Sequence, residues 1–197
     1  MIPVRINNCN TFKLKCQEYQ NFVASNDFSN LVCPICDTKG DFTRNTSYVR
    51  NLIYIEDESF DDIEYNSNLN SIDTKLKITV IRCNSCGKYH ALLPTFILPY
   101  HIYSAYFIMI SLQAKLIKNL NMNKLLESLG ISHKLFYYWN RIFLNYIPSS
   151  STVLDTADNS PPNILKLIIF NFENFLSNFY EQFKIIFFLN YDNHKFY

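Results

Sequence analysis

Glycine is nearly missing from this chain, with three in 197 residues beside a single tryptophan. Apolar residues make up 48% of it, so a packed core for one medium domain or two small ones is the expectation. Net charge is all but absent at +1, a total that speaks neither for nor against a polyanionic partner. The opening stretch MIPVRINNCNTFKLKC has no continuous apolar run, so the sequence reads as a cytoplasmic chain without a secretory signal. An uninterrupted membrane-spanning segment is lacking too. Residues 91–112 are broken by Pro94, Pro99 and His101, and residues 164–189 carry Lys166, Glu173, Glu181 and Lys184. Membrane association is therefore not expected, and no internal repeat is evident.

Aromatic residues are present in quantity, with 17 Phe and 14 Tyr. Asn, Ile and Lys are also frequent, in the manner of AT-biased coding, so the raw lysine count says little. The placement of charge says more. Residues 31–73 hold three basic side chains against nine acidic ones, a net of −6. Residues 74–148 hold nine basic side chains against the single acid Glu127, a net of +8. A basic middle behind a neutral total is the pattern of a polyanion-binding module, or of lysines that solvate helix faces.

Periodicity and two Cys-x-x-Cys pairs, Cys33–Cys36 and Cys83–Cys86, give an α+β fold class: a small β zinc ribbon, then a helix-turn-helix region, then an apolar helical segment. Residues 1–30 read as a polar lead-in with a short helix around 16–24. Strands are predicted at 46–55 and 75–83. In the second, Lys75, Lys77, Thr79 and Ile81 alternate with Leu76, Ile78, Val80 and Arg82. An acidic, Asn- and Ser-rich insertion (56–74) lies between them, inside a ribbon spanning 31–95. Helices are predicted over 102–120, over 121–130 with Asn121 as cap and Gly130 as stop, and over 133–146 with Ser132 as cap. The last two fall in a helix-turn-helix region, 96–147. Pro148 opens a linker (148–161), and a helix or helix pair closes the chain in a tail, 162–197.

Two Cys-x-x-Cys pairs, Cys33-Pro-Ile-Cys36 and Cys83-Asn-Ser-Cys86, carry the clearest chemistry. In a reducing compartment they point to metal before disulfides. Each pair can chelate one side of a Zn²⁺ ion, and two pairs complete a closed, structural four-sulfur site holding one ion. A thioredoxin-like redox pair would need alternating strands and helices, which neither pair has. Two cysteine pairs in a core are the plainer alternative. Gly87 follows the second pair, but Asp37 stands where the first turn prefers glycine. Lys39, Arg82 and Lys88 would temper the charge of the thiolates. His90 could replace a cysteine; four thiolates suffice, so it reads as a hydrogen-bonding side chain packed beside the turn. Cys9 and Cys16 lack partner spacing.

KLLESLGISHKLFYYWNRI (124–142) carries the second signal. Leu125, Leu129 and Ile131 bracket a glycine turn, and Phe136 and Trp139 continue the apolar face. That leaves Ser132, His133, Lys134, Tyr137, Tyr138 and Arg141, flanked by Lys124, for phosphates and base edges of double-stranded DNA. Leu126 occupies a position where a small residue usually lets two such helices approach. An αα-hairpin without a DNA role is the alternative.

Together CPIC, a long spacer, IRCNSCGKYHALLPTFILPYHIYS and SLGISHKLFYYW resemble the zinc-ribbon plus helix-turn-helix proteins of bacterial mobile elements, many of them transposase-like or of an uncharacterised domain family. The resemblance covers residues 31–146. It implies DNA binding, with Cys33, Cys36, Cys83 and Cys86 as metal ligands. Catalytic machinery is not in view: the carboxylates after residue 150 fall on a linker and greasy helices, and no arginine follows Arg141. The reading is thus a targeting or regulatory module that has no small-molecule substrate and lacks its own catalytic domain. Two others stay open: an interaction module whose tail dimerises through residues 162–197, Phe170, Phe175, Phe179, Phe183 and Phe187 included, and a truncated transposase or recombinase.

Overall fold

The computed structural model describes residues 1–6, 11–55 and 71–188; the acidic insertion and Cys9 fall largely or wholly outside them. The fold is α+β, with a four-stranded sheet and six helices among the described residues. The strands are β1 (Ile2–Val4), β2 (Phe42–Ile55), β3 (Ser71–Cys83) and β4 (Tyr89–Pro94), in the order β1-β4-β3-β2. β2, β3 and β4 are antiparallel, whereas β1 joins β4 in parallel. The first thirty residues are thus more than a polar lead-in. They supply an edge strand and helix α1 (Phe12–Ser25), whose buried Phe12, Lys15, Tyr19 and Val23 recur at helical spacing.

Along β3 the alternation changes face part-way. Leu76 and Ile78 are buried, and so are Thr79, Ile81 and Cys83, while Lys75, Lys77 and Arg82 are exposed. Just past this switch, opposite Val80 and Ile81, β2 carries a bulge between Arg44 and Thr46, which adds local twist. Tyr19 sits at the switch itself. Its hydroxyl donates to the Leu92 carbonyl at 2.8 Å and accepts from the Thr79 N–H at 3.2 Å. The β3–β4 register ends at Val80↔Ala91, so the phenol bridges the strands one step beyond their ladder.

The chain leaves β4 through a turn that ends in helix α2 (Ala105–Leu116), capped by the Ser104 hydroxyl. Arg50 of β2 fixes this turn, donating to the carbonyls of Leu98 (2.6 Å) and His101. Ten successive residues of α2, Ala105 to Ala114, are buried. A helix apolar all round is a core helix when other elements enclose it, and α3 (Met122–Leu129), α4 (His133–Leu154), α5 (Pro161–Phe170) and β2 do so. Among the described residues no helix is long and apolar enough to cross a membrane.

Local signals set the ends of α3 and α4. Asn121 accepts from the Asn123 and Lys124 amides, Gly130 takes φ 64° at the stop, and Ser132 accepts from Leu135 N–H at the next start. Leu125, Leu126, Leu129, Ile131, Phe136 and Trp139 are all buried, so Leu126 fits between the helices despite its size. α4 runs through Pro148 to Leu154, past the point where a linker is expected. Pro148 and Leu144 both face solvent. Water can therefore take the Leu144 carbonyl that the proline leaves without an N–H, while Ile147 and Ser150 hold the other side in the core.

α5 and α6 (Phe172–Phe183) belong to the same helical core. Phe175, Phe179 and Phe187 are buried and Phe183 is partly buried, whereas Phe170 stays 90% exposed. Most of the phenylalanines that suggest a dimerising tail are thus covered within one chain. Glu173 of α6 ties this core to the sheet, accepting from Lys15 Nζ at 3.4 Å and Thr95 Oγ1 at 3.0 Å.

Candidate metal centre

The two Cys-x-x-Cys turns have the same backbone wiring. Asp37 N–H donates to the Cys33 carbonyl at 3.0 Å, and Gly87 N–H donates to that of Cys83 at 2.9 Å. Cys33 N–H donates to the Thr38 carbonyl and Cys83 N–H to that of Lys88, both at 2.9 Å. Each turn ends in the left-handed region, at φ 57° for Asp37 and 73° for Gly87. The aspartate therefore adopts the conformation that glycine takes without strain.

The β2–β3 hairpin carries one turn to the other. The four Sγ atoms lie within 4.8 Å of one another. Cys33 Sγ is 3.7 Å from Cys86 Sγ, and Cys36 Sγ is 3.7 Å from Cys83 Sγ. A tetrahedral ion with metal–sulfur bonds of ~2.3 Å requires S···S edges of about 3.8 Å, whereas a disulfide requires about 2.05 Å. The residues present fit one four-coordinate ion. Cys33 and Cys83 are buried, Cys86 is half-buried and Cys36 is exposed. Cys16, away from this group, is half-buried against the sheet core.

Proton affinity differs between Cys36 and Cys86. Hydrogen bonds from Thr38 hold Cys36 down to about 6. The Lys88 backbone N–H pulls Cys86 down, but burial and the neighbouring sulfurs push it up to about 12. Crowded thiols of this kind resist losing all their protons together, and a bound cation removes that resistance. His90, buried on β4, places Nε2 3.3 Å from Cys33 Sγ. Burial, then the charge of the N-terminal amine, lowers its proton affinity. A neutral ring with its proton on Nε2 donates to the Cys33 sulfur, and would stand one bond removed from an ion held there.

Sequence reasoning passes over Asp41. Its carboxylate accepts from Asn84 Nδ2 at 2.8 Å and Ser85 Oγ at 2.9 Å, and its carbonyl accepts from Asn84 N–H at 3.0 Å. Only a folded hairpin brings residue 41 to the turn at 83–86, so no local pattern announces it.

The other candidate residues lie on α3 and α4. Lys124, His133, Lys134, Tyr137 and Arg141 are exposed. The rings of His133 and Tyr137 stack at 6.4 Å. Ser132 is exposed, but its oxygen is engaged as the α4 cap. Tyr138 is half-buried, its ring 6.0 Å from that of His101.

A family model described as a domain of unknown function (DUF6431) matches residues 62–128. The matched stretch takes in β3, the second cysteine turn, β4, α2 and α3 up to its penultimate residue. Cys33 and Cys36 lie upstream of it. No curated protein and no solved structure matches the chain.

Proposed function

We propose that this chain is a zinc-stabilised DNA-binding protein, a targeting or regulatory module of a mobile element without a catalytic domain of its own. The observation that carries the DNA reading is the α3–turn–α4 unit. Its capped turn presents Lys134, Tyr137 and Arg141 at three- and four-residue steps on one exposed stripe. α4 itself contains no carboxylate to oppose a phosphate. Lys134 and Arg141 serve phosphates or guanine edges, the stacked His133–Tyr137 pair offers an aromatic edge, and Lys124 flanks them. With Ser132 engaged as a cap and Tyr138 turned half inward, the DNA-facing set narrows to those five residues. Four thiolates at tetrahedral spacing favour zinc among the common ions. The mobile-element assignment rests on the resemblance of the motif from Cys83 to Ser104.

The test is duplex binding titrated at several salt concentrations, with metal analysis of the same preparation. One zinc per chain and salt-sensitive binding are expected. Lys134→Ala with Arg141→Ala should weaken binding and reduce the slope of log affinity against log salt by about one for each phosphate no longer neutralised. An unchanged slope and affinity would remove α4 from the interface.

A further inference from the structure

We propose that Asp41 is a positioning residue of the metal centre, which holds the Cys83–Cys86 turn ready for the ion. The inference rests on the metal reading above. The two turns share their backbone wiring but differ in what lies between their cysteines. In the second turn both intervening residues, Asn84 and Ser85, donate side-chain hydrogen bonds to the Asp41 carboxylate, one to each oxygen. The Asn84 amide oxygen in turn accepts from Thr43 Oγ1 at 2.8 Å. The Asn84 backbone is held as well, through its N–H to the Asp41 carbonyl at 3.0 Å. Four hydrogen bonds therefore clamp this turn to the start of β2, independently of any ion.

The first turn has Pro34 and Ile35 at the equivalent places, neither with a side-chain donor, and Ile35 is largely exposed. It closes on Asp37 in a left-handed conformation that glycine adopts freely and aspartate less readily. Its outer ligand, Cys36, is exposed and has Thr38 Oγ1 3.3 Å from its sulfur. A pre-ordered pair of thiolates lowers the ordering cost of binding, which raises affinity without adding a ligand. Partners that orient ligands in this way typically govern metal affinity by about 10–100-fold.

The experiment uses the full chain and the variants Asp41→Ala, Asp41→Asn and Ser85→Ala. Zn²⁺ affinity is measured by competition with a chromophoric chelator. Co²⁺ substitution reports the ligand set, and the melting temperature is recorded with and without metal. Asp41→Ala should weaken zinc about 10–100-fold. Asp41→Asn and Ser85→Ala should give intermediate losses, since each keeps part of the clamp. The Co²⁺ bands should keep their positions in all variants, because the four sulfurs are unchanged. An Asp41→Ala affinity within about twofold of the parent overturns the proposal, as does an equal loss of melting temperature with and without metal, which would mark a general fold residue. If Asp41→Ala does not fold, unchanged zinc affinity in both milder variants overturns it. Failure of the parent chain to bind one ion would instead overturn the metal reading itself.

Discussion

His101 shows how much one side chain can carry at the joint between sheet and helices. Its ring packs 6.0 Å from that of Tyr138 and 6.1 Å from that of Phe188, while its own carbonyl is held by Arg50. Burial, then the Arg50 charge, brings the imidazole from the ordinary 6.5 down to about 4. The folded chain therefore keeps His101 neutral where the unfolded chain protonates it. Its contribution is full above pH 6.5 and is lost as the pH falls toward about 4. The loss over that window is up to ~3 kcal/mol. Urea unfolding followed by the fluorescence of Trp139 should show it, and His101→Gln should flatten the profile between those pH values. An unaltered slope in that variant would place the acid sensitivity elsewhere.

At the scale of elements, α4 is the informative case. Its start was legible, because a serine cap and a preceding glycine stop act through the nearest backbone groups. Its length was not, because a proline ends a helix only when the missing hydrogen bond cannot be replaced. Pro148 faces water, so solvation there and packing of Ile147 and Ser150 behind it carry the helix on to Leu154. Pro148→Ala should restore the amide and stabilise the chain by about 1 kcal/mol or more, read as a raised urea midpoint. The strands divide in the same way. Leu76 and Ile78 declare their face by alternation, but at Thr79 the pattern switches where Tyr19 arrives from α1. β1 is three residues long and owes its existence to β4, more than eighty positions away. The four clustered cysteines were readable from their own spacing. Asp41 was not, since its role appears only when the hairpin closes.

The whole molecule has two apolar clusters among its described residues. One lies between the sheet and α1, and the other gathers α2 to α6. Cys33, Cys36, Cys83 and Cys86 sit at the sheet end, and Trp139 is buried in the helical cluster. Stripping the metal with a strong chelator should therefore loosen the cysteine turns first. The prediction is a lower melting temperature that depends on free metal concentration, with Trp139 emission still native at room temperature. A red-shifted emission on chelation would mean instead that both clusters unfold together. The tail enters the same picture. Deleting residues 161–197 would uncover Tyr146 of α4, whose ring packs on Phe179 and Phe187, so self-association is better tested by sedimentation of the full chain and its Phe170→Asp variant.

The phenol of Tyr19 has one more consequence. The Thr79 amide is protected by a side chain of α1 and not by the neighbouring strand. Its exchange with heavy water should therefore follow the detachment of that helix, not the fraying of the sheet. A single backbone proton thus becomes a clock for how often α1 lifts away, and Tyr19→Phe would set it running freely.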